Sequence, residues 1–146
     1  MTKYISIDPG KYKCGLILAE LKSKRVLQAI VIESRYLVQY IKTFIENDSN
    51  IKVLIGNGTT SNYHVKLLSF LGNNLTIVEE KNTTFRSKER YFEIFPIRGI
   101  QRFFPREIFL QNINLDAISA LVILEDYLNC KFTLNCDHLS KTWMKQ

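Results

Sequence analysis

Tyr4-Ile5-Ser6-Ile7-Asp8-Pro9-Gly10-Lys11-Tyr12-Lys13-Cys14-Gly15-Leu16-Ile17-Leu18 decides how this chain folds. Tyr4 to Asp8 alternates polar and apolar residues, and an apolar run resumes at Leu16 after a turn of Pro, Gly and Lys. That pattern predicts a β-hairpin whose first strand ends in a carboxylate. Side chains alternate along a strand, so Asp8 shares a face with Ser6 and Tyr4. Gly10 and Gly15 remove Cβ atoms where a backbone, a metal or a phosphate can come close. Taken alone, an Asp at a strand end is as readily a turn former as a functional group.

Working outward, Arg25 to Ile32 reads as a third strand, and Ser34 caps a helix to about Asn47 with a stripe of Leu37, Ile41, Phe44 and Ile45. Ile51 to Ile55 follows a helix and is nearly all apolar, which predicts a parallel strand covered on both faces. Asn57, Gly58, Thr59 and Thr60 then open a helix carrying Leu67, Leu68 and Leu71. Two readings of that opening stay side by side: ordinary capping, or a phosphate held by free amides. His64, within this helix, reads as a solvated surface side chain. Leu75 to Val78 forms another strand and leads into Glu79-Glu80. The next helix starts at Thr83 or Thr84, turns Phe85, Phe92 and Phe95 inward and ends at Pro96. Pro96 to Gln111 reads as a long loop, functional or mobile. Asn114 caps an almost wholly apolar helix from Leu115 to Leu128, with Asp116 in its first turn, where the helix dipole favours an acid.

The chain has 146 residues and 46% apolar content, enough for one domain with a real core. Residues 1–128 are expected to form it, with 129–146 a C-terminal extension. No apolar run is long enough to span a bilayer, no signal-peptide pattern precedes the first strand, and the expected partners include no membrane. Cys14, Cys130 and Cys136 are odd in number and lack zinc-type spacing, which fits a reducing compartment. Net charge is +6, concentrated between Lys81 and Arg106, where seven basic residues face two acids among interleaved aromatics. This is the footprint of a nucleic-acid surface or of a solvated basic face. The candidate contacts are Lys81, Arg86, Arg98, Arg102 and Arg106, joined by Lys11 and Lys13 of the hairpin turn.

In a mixed sheet of this element order, Asp8, Glu80 and Asp116 converge on one edge. Close carboxylate pairs repel by roughly 4 kcal/mol each at an effective dielectric near 20, so such a cluster calls for a cation. Oxygen-only ligands favour Mg²⁺ or Mn²⁺ over zinc.

These pieces together resemble the YqgF (RuvX-type) family of Holliday-junction-resolvase-like proteins. The resemblance rests on Ile7-Asp8-Pro9-Gly10 with Cys14-Gly15-Leu16, Val78-Glu79-Glu80-Lys81-Asn82-Thr83-Thr84, and Leu115-Asp116-Ala117-Ile118-Ser119-Ala120. Ile55 to Thr60 and Tyr91 to Arg102 look most like its cyanobacterial and algal-plastid branch. The resemblance implies an α/β, RNase H-like single domain, with a mixed five-stranded sheet and helices on both faces. It implies Asp8, Glu80 and Asp116 as catalytic metal ligands in a nuclease acting on a DNA junction or precursor ribosomal RNA. A monomer or homodimer in the cytoplasm or plastid stroma fits it. There are departures: Glu79-Glu80-Lys81 stands where the family has Asp-Glu-Arg, which removes a bidentate phosphate grip and leaves Glu79 and Glu80 both open as ligand. Ser119 sits near the place where related resolvases carry a further acid. A nucleic-acid-binding module with weak or no catalysis is therefore the alternative. A sugar-kinase-type phosphotransferase needs two such domains, and this chain holds one.

Overall fold

The computed structural model describes residues 1–105 and 115–135; Arg106, Asn114, Cys136 and His138 lie outside the described residues. β1 (Lys3–Asp8), β2 (Lys13–Glu20) and β3 (Arg25–Glu33) form the antiparallel meander that the alternating pattern predicts. β4 (Lys52–Gly56) adds parallel to β1, and β5 (Leu75–Val78) adds parallel to β4, in the order β3-β2-β1-β4-β5. The result is one α/β domain with a mixed five-stranded sheet, the arrangement the RNase H-like resemblance implies.

β1 is central, and its period-two alternation serves two cores. Ile5 and Ile7 face Leu16, Ile30, Val53 and Ile55, under α1 (Leu37–Asn47) and the buried Leu68 and Leu71. The opposite face presents Ile17, Ala19, Ala29 and Leu54 to α4 (Leu115–Leu128), whose residues 117–124 are all buried. Small side chains on β2 and β3 admit this helix. Each fully buried Ile or Leu of α4 contributes about 1.5–3 kcal/mol. Among the described residues, no helix is long and apolar enough to cross a membrane.

α2 (Ser61–Leu67) ends sooner than the sequence suggests, and a 3₁₀ turn at Ser69–Asn74 carries the chain on to β5. Leu67, expected inside, is exposed; the buried line runs through Ser61, His64, Leu68 and Leu71. α3 (Thr83–Ile94) also differs from expectation, because Phe85 is 65% exposed. Its inner side combines Tyr91 and Ile94, packed against the α4 core, with polar contacts to α4. Ser87 bonds Ser119 at 2.8 Å, Arg86 pairs with Asp126, and Arg90 grips Glu125 at 2.9 and 3.0 Å. These anchors lie at helical spacing along a face that Phe85 does not share.

The extension expected from residue 129 begins as part of the domain. Phe132 and Leu134 are buried in the α4 core, and Thr133 exchanges backbone hydrogen bonds with Val26 and Lys24, both at 2.9 Å. The loop after Pro96 contains a 3₁₀ turn at Gly99–Phe103.

Candidate metal centre

The C-terminal ends of parallel strands share one edge, which is where open α/β sheets receive ligands. Asp8 closes β1 and pairs across to Gly15 of β2. Gly15 in turn lies against the first turn of α4: a Cβ there would fall 1.9 Å from the Asp116 carbonyl oxygen. Only a glycine lets the helix, and Asp116 with it, descend onto Asp8. Glu80 arrives from the other side. Its backbone N–H donates to Asn57 Oδ1 at 2.8 Å, and Asn57 N–H donates to the Val78 carbonyl at 2.9 Å. The Glu80 side chain then lies over Gly56, where a Cβ would stand 1.7 Å from Oε1. Three elements therefore bring Asp8, Glu80 and Asp116 to one edge.

The electrostatics follow from that placement. Burial, then the Glu80 charge, then the Asp116 charge push the Asp8 carboxyl up to about 7 from 3.8. Burial also raises Glu80. Glu80 Oε1 is buried without a hydrogen-bond partner, a costly state for a carboxylate oxygen in the protein alone. Glu79 has its side chain 71% exposed and pairs with Lys81 at 3.7 Å, so geometry separates the two glutamates. Among the described residues no three His, Cys, Asp or Glu side chains form a ready-made metal cage. The carboxylates are electrostatic neighbours rather than a closed ligand shell. An all-oxygen set with an orphaned buried oxygen fits a hard divalent cation.

The turn after Asp8 is pinned from below. Thr60 Oγ1 donates to the Pro9 carbonyl at 3.2 Å, and Ser34 Oγ donates to the Gly10 carbonyl at 2.8 Å. His64 is not solvated as expected; it is 1% exposed, with Nε2 2.9 Å from the Gly10 carbonyl. Extending the Leu68–Leu71 stripe back by helical spacing reaches His64 and Ser61, and that signal could have found it. Residues 57–60 also have structural roles. Asn57 holds Glu80, a Cβ at Gly58 would stand 3.6 Å from its Oε2, Thr60 holds Pro9, and Thr59 stays exposed.

The basic residues divide into two groups. Arg86 makes a two-point ion pair with Asp126 and braces α3 against α4. Lys11 and Lys13 are exposed on the hairpin turn, Lys11 lying over the ring of Tyr12. Arg98 and Arg102 are exposed, and Arg102 lines a groove with Phe92, Pro96, Ile97 and Phe104. A second open groove of about 420 Å³ runs from Glu80 along Asn82, Thr83, Thr84 and Phe85. Ser119, one helical turn beyond Asp116, is tied into the α3–α4 interface by Ser87, which donates to the Thr83 carbonyl at 2.5 Å.

Comparison with solved structures finds Thermus thermophilus RuvC in complex with a Holliday junction substrate. It is 13% identical with a TM-score of 0.49, over 92% of this chain and 100% of that one. The Mn-soaked, inhibitor-bound terminase nuclease domain of human cytomegalovirus is 11% identical, TM-score 0.47, over 94% and 84%. A further Thermus thermophilus RuvC structure is 10% identical, TM-score 0.44, over 93% and 85%. At TM-scores below 0.5 these likenesses carry no functional argument. No protein-family model and no curated protein matches the chain.

Proposed function

We propose that this protein is a divalent-metal-dependent nuclease of the YqgF type, cleaving phosphodiester bonds in structured nucleic acid such as a DNA junction or precursor ribosomal RNA. The observation that carries this reading is that Asp8 lies within electrostatic reach of Glu80 and Asp116, with Glu80 Oε1 buried and unpaired. Asp8 and Glu80 would hold the cation from the strand side and Asp116 from the helix. A bound Mg²⁺ or Mn²⁺ supplies Lewis-acid polarisation of a phosphoryl oxygen and a water of lowered pKa. The chain's own contribution is position. Gly15 and Gly56 set the approach of Asp116 and Glu80, Asn57 fixes the Glu80 backbone, and Thr60 and Ser34 fix the Asp8 turn. Exposed Lys11, Lys13, Arg98 and Arg102 would receive phosphates flanking the scissile one.

One observation favours the binding-module reading with weak catalysis. Ser119 and Ser87 satisfy each other where related resolvases carry a further acid, so the site has three carboxylates to work with. Incubating the protein with Mn²⁺ and either a four-way DNA junction or a precursor-rRNA fragment separates the readings. Cleavage of one substrate, lost on Asp116→Asn, is expected. Binding of both without cleavage supports the module.

The surface assignment has its own test. Neutralising Arg98 and Arg102 together should flatten the dependence of log affinity on log salt by roughly 0.7–0.9 per lost phosphate contact. Arg86→Gln should leave that slope unchanged, because the guanidinium is spent on Asp126. Measuring affinity by fluorescence anisotropy from 50 to 200 mM salt checks both, and an unchanged slope for the double variant refutes the surface.

A further inference from the structure

Resting on the three-carboxylate reading, we propose that His64 is a positioning residue: its Nε2–H holds the Gly10 carbonyl and so fixes the turn that aims Asp8. The Gly10 carbonyl has no proton to give, so both of its close partners must donate: Ser34 Oγ at 2.8 Å and His64 Nε2 at 2.9 Å. These are the two short bonds to that oxygen, with the Cys14 thiol farther off at 4.0 Å. Cys14 Sγ closes the cluster, 3.4 Å from Ser34 Oγ, 3.9 Å from His64 Nε2 and 4.0 Å from the Gly10 carbonyl oxygen. The imidazole proton is thereby assigned to Nε2.

The remaining nitrogen shows that the ring is there for more than packing. His64 Nδ1 is buried without a hydrogen-bond partner. An apolar residue of similar size would fill the same space without leaving a buried polar atom unpaired. The imidazole therefore carries a cost at one nitrogen that its bond at the other offsets. That bond falls on a turn also held by Thr60 at the Pro9 carbonyl, by Ser34 Oγ at the Gly10 carbonyl and by the Ser34 N–H at the Tyr12 carbonyl. Pro9 has no N–H, and the turn is so tight at Gly10 that a Cβ would stand 2.1 Å from the Lys13 carbonyl oxygen. Asp8 lies two residues away, at the end of β1. His64 touches none of the three carboxylates, so its effect on them passes through the backbone.

The test uses the full chain and the variants His64→Leu, His64→Gln and Ser34→Ala. Gln keeps an N–H donor near the place of Nε2, and Leu does not. In the metal-free protein, hydrogen exchange across residues 10–13 should quicken about tenfold in His64→Leu, confined to that turn, and stay near wild type in His64→Gln. Ser34→Ala, which removes the other donor, should quicken exchange in the same turn and keeps the test open if His64→Leu does not fold. In a Mn²⁺ titration followed by thermal melting, His64→Leu should bind about tenfold more weakly, the lower range for lost outer-shell support, and Gln should restore most of it. Unchanged exchange in Leu, or equal impairment in Leu and Gln, overturns the proposal. A wild-type protein that takes no Mn²⁺ while the exchange pattern holds would instead overturn the nuclease reading and leave the positioning role standing.

Discussion

Asp8→Asn should abolish Mn²⁺-dependent cleavage and at the same time raise the melting temperature of the metal-free protein near pH 8. The carboxyl of Asp8 is raised in the folded state from 3.8 to about 7, by burial first and then by Glu80 and Asp116. A raised carboxyl binds its proton more tightly when folded. Its contribution is thus fully present below about pH 4 and is lost as pH rises through about 7. Ionising it in the folded protein costs on the order of 4 kcal/mol, since each pKa unit is worth about 1.4. The amide removes that charge at nearly constant volume. The stabilisation by Asp8→Asn should therefore appear at pH 8 and vanish at pH 4. Added Mn²⁺ should stabilise the variant less than wild type, because a weaker site shifts apparent stability less at equal ion concentration. Calorimetry at both pH values, with and without Mn²⁺, reads all of this. A variant that is less stable at pH 8 and keeps its full Mn²⁺ response would mean that Asp8 only closes the hairpin.

The two glycines of the site should fail in opposite ways. In Gly15→Ala the new methyl meets backbone: the Asp116 carbonyl oxygen at 1.9 Å and the Ala117 nitrogen at 2.8 Å. Helix α4 must lift, and overpacking of this kind costs about 1–3 kcal/mol or more. Because α4 carries much of one core, a marked fall in melting temperature is expected. In Gly56→Ala the methyl meets the Glu80 side chain, with Oε1 at 1.7 Å and Cδ at 2.6 Å. A side chain can swing away, so the fold should survive with a much smaller loss while the carboxylate leaves the site. Melting curves and Mn²⁺ titrations of both variants should show stability lost in the first and metal affinity lost in the second. Equal behaviour of the two would contradict the placement of Glu80.

The parts of this site that were readable in the sequence are those written in local pattern. Asp8 ends an alternating strand, Asp116 opens an apolar helix, and both signals survive without knowledge of the partner elements. What was not legible depends on tertiary contact. Glu79 and Glu80 are neighbours of the same chemistry, and only the Asn57 bond to the Glu80 backbone and the hollow at Gly56 turn one of them inward. The ion pair of Arg86 with Asp126, forty residues on, cannot be read from sequence. Phe85 looked like core because aromatic residues usually are, whereas α3 docks through Ser87 and Arg90. His64 looked solvated because no metal-type spacing surrounds it, yet its partner is a backbone carbonyl, which sequence never displays. Phe132 and Leu134 sat in a stretch without periodicity, and a single bridge at Thr133 brings them into the core.

The most direct test of the central claim is crystallographic. Crystals of the full chain soaked in Mn²⁺ should show anomalous density within roughly 2.0–2.3 Å of carboxylate oxygens from Asp8, Glu80 and Asp116 together. Density at another site, or none at this edge at a concentration that stabilises the protein in solution, would contradict it.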